Sequence, residues 1–180
     1  MIKQKEGSGM KKARVYNVIF PIWALMFFPP TIFIALAGNF IIDSAVLLVA
    51  GACLRIGAKQ GQTLGRFYGR SIIKVWLLGF LADFIGTLPL WIIFEFGLIE
   101  VAPEMTVAIY TNLFQNTGAV LLVLACIAIA GVCIYLFNYR FSLKKSLPEV
   151  RERKAVSLAL AIITAPWTLL LPTELFLHVF

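Results

Sequence analysis

Three blocks hold every lysine and arginine of this chain, and apolar runs of membrane-spanning length separate them. Lys3, Lys5, Lys11, Lys12 and Arg14 form the first block. Arg55, Lys59, Arg66, Arg70 and Lys74 form the second, and Arg140, Lys144, Lys145, Arg151, Arg153 and Lys154 the third, which accounts for all sixteen. The intervening runs approach the roughly 20 residues that an α-helix needs to cross a hydrocarbon core about 30 Å thick. With 61% hydrophobic and 14% charged residues, the chain is too apolar for one soluble core, where about 25% of residues are charged. Long solid runs, instead of ten-residue alternation, also exclude an outer-membrane barrel.

The expected fold is therefore all-α: a polytopic membrane protein, a bundle of about five transmembrane helices. A cytoplasmic polar tail over 1–14 precedes a single transmembrane domain over 15–179. Its expected spans are 15–37, 39–55, 73–96, 117–139 and 155–178, with basic loops at 56–72 and 140–154. Gly38-Asn39 reads as a tight turn between the first two, because both residues tolerate left-handed backbone angles. Lysines and arginines stay on the cytoplasmic side. Five spans with the N-terminus inside and the C-terminus outside place all three blocks there, and leave Glu95, Glu100, Glu104 and Glu174 at the outer face. The expected location is the bacterial cytoplasmic membrane, with the lipid bilayer as the first partner. Because the +7 net charge resides in these loops, it does not indicate nucleic acid.

Two features of the N-terminus compete with this reading. Ala35-Leu36-Ala37 before Gly38 resembles a signal-peptide cleavage site, but the apolar run ahead of it exceeds the usual 7–15 residues, which favours a span. Met10-Lys11-Lys12 is an alternative start, and residues 1–9 are expected to be a disordered polar tail.

Asp83 is the most informative single residue. It lies near the middle of its span, where a charge costs about 2.5–3.5 kcal/mol on insertion scales and so faces a partner or a cavity. Gly79, Ala82 and Gly86 surround it at helical spacing, followed by Leu90, and such small-residue faces are where membrane helices approach closely. Asp43 and Asn39 share a face one turn apart in the preceding span, on the outer side of its centre. Asp83, Asp43 and Asn39 are expected to converge with Asn112, Gln115, Asn116 and Glu174 in the outer half of the bundle. Oxygen ligands of this kind suit a hard cation or a proton; the competing reading is a structural hydrogen-bond network.

Each outward-running span carries a proline: Pro30, Pro89 and Pro172. A helical proline frees the carbonyl four residues back, here Met26, Ile85 and Thr168, and kinks the helix. Ordinary transmembrane proline usage explains them as well as a hydrated vestibule does. Ala102-Pro103-Glu104 reads as a helix start, with proline in the first turn and an acid beside it. Met105, Ile109 and Leu113 follow at intervals of four, so a short outer helix is expected to lie on the membrane surface or cap the bundle.

Gly57, Gly61, Gly65 and Gly69 are spaced by four. The stretch is one residue short of a phosphate-binding loop, has arginine for lysine, and follows a membrane helix instead of a strand. It is too polar for a helix-packing stripe in lipid. A cytoplasmic connector is expected, with Arg55, Lys59, Arg66, Arg70 and Lys74 touching lipid headgroups.

No catalytic motif, cofactor motif or metal-ligand pattern occurs. His178, the single histidine, reads as an interfacial residue. Cys126 and Cys133 lie seven residues apart on one helix, about 10 Å, too far for a disulfide; they and Cys53 read as small core residues. Two functions stand side by side: translocation of an ion or small solute through a homo-oligomer, or a non-catalytic subunit or assembly factor bound to another membrane protein. A lipid-modifying enzyme is the weaker third reading, since it lacks a nucleophile.

Overall fold

The computed structural model describes residues 29–56, 63–97 and 99–172. Among them are α1 (Pro29–Cys53), α2 (Leu64–Leu90), α3 (Pro103–Tyr110), α4 (Thr117–Phe137) and α5 (Val150–Ile163), with no strand. Four segments are long and apolar enough to cross a membrane: Phe33–Cys53, Leu64–Glu95, Thr117–Ser142 and Val150–Leu170. Large side chains such as Phe33, Ile41, Leu77, Leu121, Val132 and Ile162 stand exposed around the bundle. A surface this apolar suits lipid, not water. The chain is a multi-pass, all-helical membrane protein.

The turn expected at Gly38-Asn39 is absent, and α1 runs straight through both residues. A Gly-Asn turn would strand backbone polar groups in hydrocarbon, whereas a continuous helix satisfies them internally. Of the expected first span, the part before Pro29 lies outside the described residues. The helix ends at Cys53, and two residues on Arg55 takes a φ of 50°, which is left-handed and costs about 1–2 kcal/mol for a residue with a Cβ. That reversal returns Ile56 to the core, where it is fully buried; an apolar contact after a left-handed cap is a common helix ending.

From Leu64 on, the glycine stretch is helix and not connector: α2 begins there with Thr63 as its cap, accepting from the Arg66 N–H at 3.3 Å, while Gly57 and Gly61 lie outside the described residues. Gly65 and Gly69 therefore sit in helix, with nothing within 4 Å of where a Cβ would stand. Burial of Phe67, Ser71, Ile72 and Val75 from the same turns outweighs the roughly 1 kcal/mol that each glycine costs.

The buried face of α2 continues through Gly79, Ala82, Asp83, Gly86, Thr87 and Leu90, the small-residue face expected around Asp83. It packs on α1 and, most extensively, on α4, while α5 closes against α4 and α1. At the α2–α4 crossing a Cβ on Gly86 would lie 2.6 Å from Ala130 Cβ and 2.9 Å from the Cys126 carbonyl. Only glycine fits there.

Two apolar clusters fill the bundle. One gathers Leu47, Ile56, Phe67, Val75, Ala82, Ile134, Leu143, Leu147 and Leu160. The other gathers Leu90, Ile109, Leu113, Val123, Ile127 and Leu169. Cys126 is buried, Cys133 half-buried and Cys53 exposed, all three as free thiols; only the last departs from the expected core placement.

The ends of the bundle carry opposite character. Ser71 Oγ donates to Ser146 Oγ at 2.9 Å, which brings the second and third basic blocks to the same end. Tyr110 donates to Glu95 at 3.2 Å, fastening α3 over the other end, near Glu100 and Glu104. The helix expected from Ala102-Pro103-Glu104 is present, with Pro103 in its first turn and Glu104 beside it.

Proline acts where it was not expected to. Pro30 lies within α1, and Met26, whose carbonyl it was expected to free, is outside the described residues. Pro172 follows the last helical turn, and the Thr168 carbonyl accepts from the Leu171 N–H at 3.0 Å. Pro166 is what breaks the last span: α5 stops at Ile163 and a 3₁₀ turn, Trp167–Leu170, follows. The carbonyl deprived by Pro166 is that of Ile162, four residues back. The Trp167 indole N–H donates to it at 2.9 Å, so the residue after the proline replaces the donor that proline removes. Pro89 stays inside α2, and a π-helical segment, Trp91–Glu95, follows it.

Candidate intramembrane acidic site

Asp43 and Asp83 are each 3% exposed and face one another electrostatically from α1 and α2. The continuous α1 changes where Asp43 stands. It lies fourteen residues after Pro29 and ten before Cys53, well inside the helix. α1 and α2 run antiparallel, so the four-residue spacing of Asn39 and Asp43 meets that of Asp83 and Gly79. Asn39 Nδ2 donates to Asp83 Oδ2 at 3.1 Å, and a Cβ on Gly79 would stand 3.6 Å from Asp43 Oδ2. The missing side chain at Gly79 is what lets Asp43 reach α2.

Thr164 completes the group from α5, with its side chain in hydrogen-bonding reach of Asp43. Its hydroxyl also lies 2.8 Å from the Leu160 carbonyl. One hydroxyl hydrogen serves either Leu160 or Asp43, not both. Asp83 Oδ1 is buried with no hydrogen-bond partner among the described residues. Among the described residues, four carboxylate oxygens thus meet one amide donor and a share of one hydroxyl. No lysine or arginine stands in 15–54, 75–139 or 155–180; those within the spans, such as Arg66, Arg70 and Lys74 of α2, sit towards the basic end, and none acts on the pair among the described residues. Two unneutralised carboxylates in one buried site are unfavourable; a shared proton or a bound cation relieves them.

The surroundings hold this geometry. Trp76 donates its indole N–H to the Leu36 carbonyl at 2.8 Å and packs edge-on against Phe40 with ring centroids 5.6 Å apart. Ser44 donates to the Phe40 carbonyl at 2.6 Å and lies 2.9 Å from the Tyr68 hydroxyl, which ties the next helix face of α1 to α2.

The other residues expected at the site do different work. Asn112 caps the 3₁₀ turn Leu113–Gln115 by accepting from the Phe114 N–H at 3.1 Å. Asn116 caps α4 by accepting from Ala119, also at 3.1 Å, and Gln115 is exposed. All three belong to the α3–α4 connection, away from the acid pair: an Asn just before a helix reads more securely as a cap than as a ligand. Glu174, Lys59 and His178 lie outside the described residues. Arg55, Arg66, Arg70 and Lys74 are exposed, the last three at four-residue intervals along the first turns of α2.

Sequence reasoning missed Thr164. The available signal was its position two residues before Pro166, where a helix ending leaves a hydroxyl to turn inward. It also missed a buried polar set at the basic end: Ser71, Asn138, Ser142, Ser146 and Glu152. No group of three or more potential metal-ligating His, Cys, Asp or Glu side chains occurs among the described residues. Compared with protein-family models, curated proteins and solved structures, the chain matches none.

Proposed function

We propose that this protein binds a small cation, the proton included, between Asp43 and Asp83 and conducts it across a bacterial cytoplasmic membrane, as a homo-oligomer. The observation that carries this reading is the buried carboxylate pair deep in the bundle, with no cationic side chain acting on either acid among the described residues. Intramembrane acids of this kind mark ion pathways and proton relays. Asp83, with one oxygen held by Asn39 and the other without a partner among the described residues, is the primary ion-binding group. Asp43, steadied by Thr164, is its partner. Four described spans are few for a transporter of inverted halves, which is why a homo-oligomer belongs to the proposal.

The orientation follows the positive-inside rule: the end where Ser71 meets Ser146 is cytoplasmic, and the Tyr110–Glu95 end faces outward. No enzymatic role is proposed. The test is flux in proteoliposomes against a panel of H⁺, Na⁺, K⁺ and Ca²⁺, comparing the wild-type protein with Asp83→Asn. Saturable flux of one ion that the variant loses, while still inserting in the membrane, supports the reading.

A subunit or assembly-factor role is the second reading. What favours it is α1, whose Phe33, Ile34, Ile41, Ile42 and Val49 are exposed, an outer face suited to another membrane helix. Stable co-purification with a different membrane protein, without flux, would decide for it.

A further inference from the structure

At the basic end of the bundle, α4 continues into a π-helical segment, Asn138–Ser142. Leu143 N–H bonds to the Asn138 carbonyl at 3.0 Å, and Leu147 N–H to the Leu143 carbonyl at 2.7 Å, so the chain reverses within a few residues. This tight reversal sets the end of α4 against the start of α5. As a result Arg153 of α5 lies over the ring of Tyr139, its guanidinium carbon 4.6 Å from the ring centroid. Tyr139 in turn stacks on Tyr135, with centroids 5.9 Å apart and planes within 2°. Tyr139 thus contacts both the guanidinium and a second phenol ring.

The Arg153 side chain also hydrogen-bonds Tyr139, which holds the guanidinium in place. Its remaining N–H groups are suited to a phosphate or carboxylate. Arg153 Nε is buried without a hydrogen-bond partner among the described residues. Arg140 and Lys154 are close enough to act on the Tyr139 hydroxyl electrostatically, and both are exposed. The acids nearby are Glu149, exposed at the start of α5, and Glu152, which is 5% exposed and turned into the protein. Cations therefore dominate the open side.

We infer that Arg153, Arg140 and Lys154, organised on Tyr139, bind the phosphate of an anionic phospholipid headgroup at this end of the α4–α5 pair. The chemistry is that of a phosphate anion. The lipid is its source because the site lies where two apolar spans leave the membrane, at headgroup level. A basic cluster at that depth gains from the negative leaflet.

The test is native mass spectrometry of the detergent-solubilised protein titrated with dioleoylphosphatidylglycerol, with dioleoylphosphatidylcholine and inorganic phosphate as separate arms. The wild type is expected to retain one phosphatidylglycerol in preference to phosphatidylcholine. Arg153→Gln should weaken that retention about tenfold, as loss of a charge-assisted hydrogen bond implies. Tyr139→Leu, which keeps every charge but removes the platform, should weaken it as well, and Lys145→Gln should not. Equal retention of the two lipids by the wild type, or unchanged retention in both Arg153→Gln and Tyr139→Leu, overturns the assignment. So does complete displacement of the lipid by inorganic phosphate, which would make a free anion the ligand.

Discussion

Asn39 and Asp83 are 44 residues apart in the chain, and the amide of one donates to the carboxylate of the other across 3.1 Å. This is the one direct side-chain hydrogen bond between α1 and α2 that reaches the acid pair, and it fixes the register of the two helices. Shifting that register by one turn would carry Asp43 away from Gly79, the position where α2 has room for it.

Removing this donor should therefore be costly only while its acceptor is present. Asn39→Leu leaves Asp83 Oδ2 without a partner, for which about 1–3 kcal/mol of destabilisation is expected. On an Asp83→Leu background the same change should cost little. A double-mutant cycle on unfolding in mixed detergent measures the difference; additive effects would show that the bond does not couple the helices.

Glycines of this chain should respond oppositely to the same substitution. Gly86→Ala drives a methyl group to 2.6 Å from Ala130 Cβ and 2.9 Å from a backbone carbonyl, so a loss of about 1–3 kcal/mol is expected. Gly69→Ala meets nothing within 4 Å and should gain up to about 1 kcal/mol. Thermal midpoints followed by circular dichroism in detergent check both.

The break in the last span offers a compensation test. Trp167→Phe removes the indole N–H from the Ile162 carbonyl and should cost about 0.5–1.5 kcal/mol. Adding Pro166→Ala returns a backbone N–H to that carbonyl, so the double variant should recover stability. If Trp167→Phe alone is neutral, the indole does not act as the substitute donor.

The contact between α3 and the end of α2 should be visible in a pH titration. Burial first, then the charge of Glu95 and the hydrogen bond to it, push Tyr110 from 10.0 up to about 12. The folded protein thus favours the neutral phenol. The resulting stabilisation is fully present below pH 10, the ordinary tyrosine value, and is lost as pH rises through about 12. Phenolate absorbance of wild type minus Tyr110→Phe should titrate near the upper value, and Glu95→Gln should bring it down.

Much of this arrangement was legible in the residues themselves. The small-residue spacing around Asp83 and the Ala102-Pro103-Glu104 helix start both depend on local pattern, and local pattern survives folding. What could not be read depended on a partner. Gly38-Asn39 carries turn chemistry, yet Asn39 stays helical because Asp83 awaits its side chain on another element. Asn112 and Asn116 look like ligands until the helices they cap are in place. Thr164 lies 81 residues beyond Asp83, and only the packing of α5 brings it in. Pro166 was overlooked beside Pro172, although the earlier proline interrupts the apolar run.

The central claim concerns Asp83, and cation flux in proteoliposomes containing wild-type or Asp83→Asn protein tests it most directly. Both proteins should insert equally and resist alkaline extraction. The wild type should then carry one ion of the H⁺, Na⁺, K⁺ and Ca²⁺ panel saturably, and the variant none. Equal flux in the two, or no flux of any of these ions through the wild type, would contradict a cation site at the carboxylate pair.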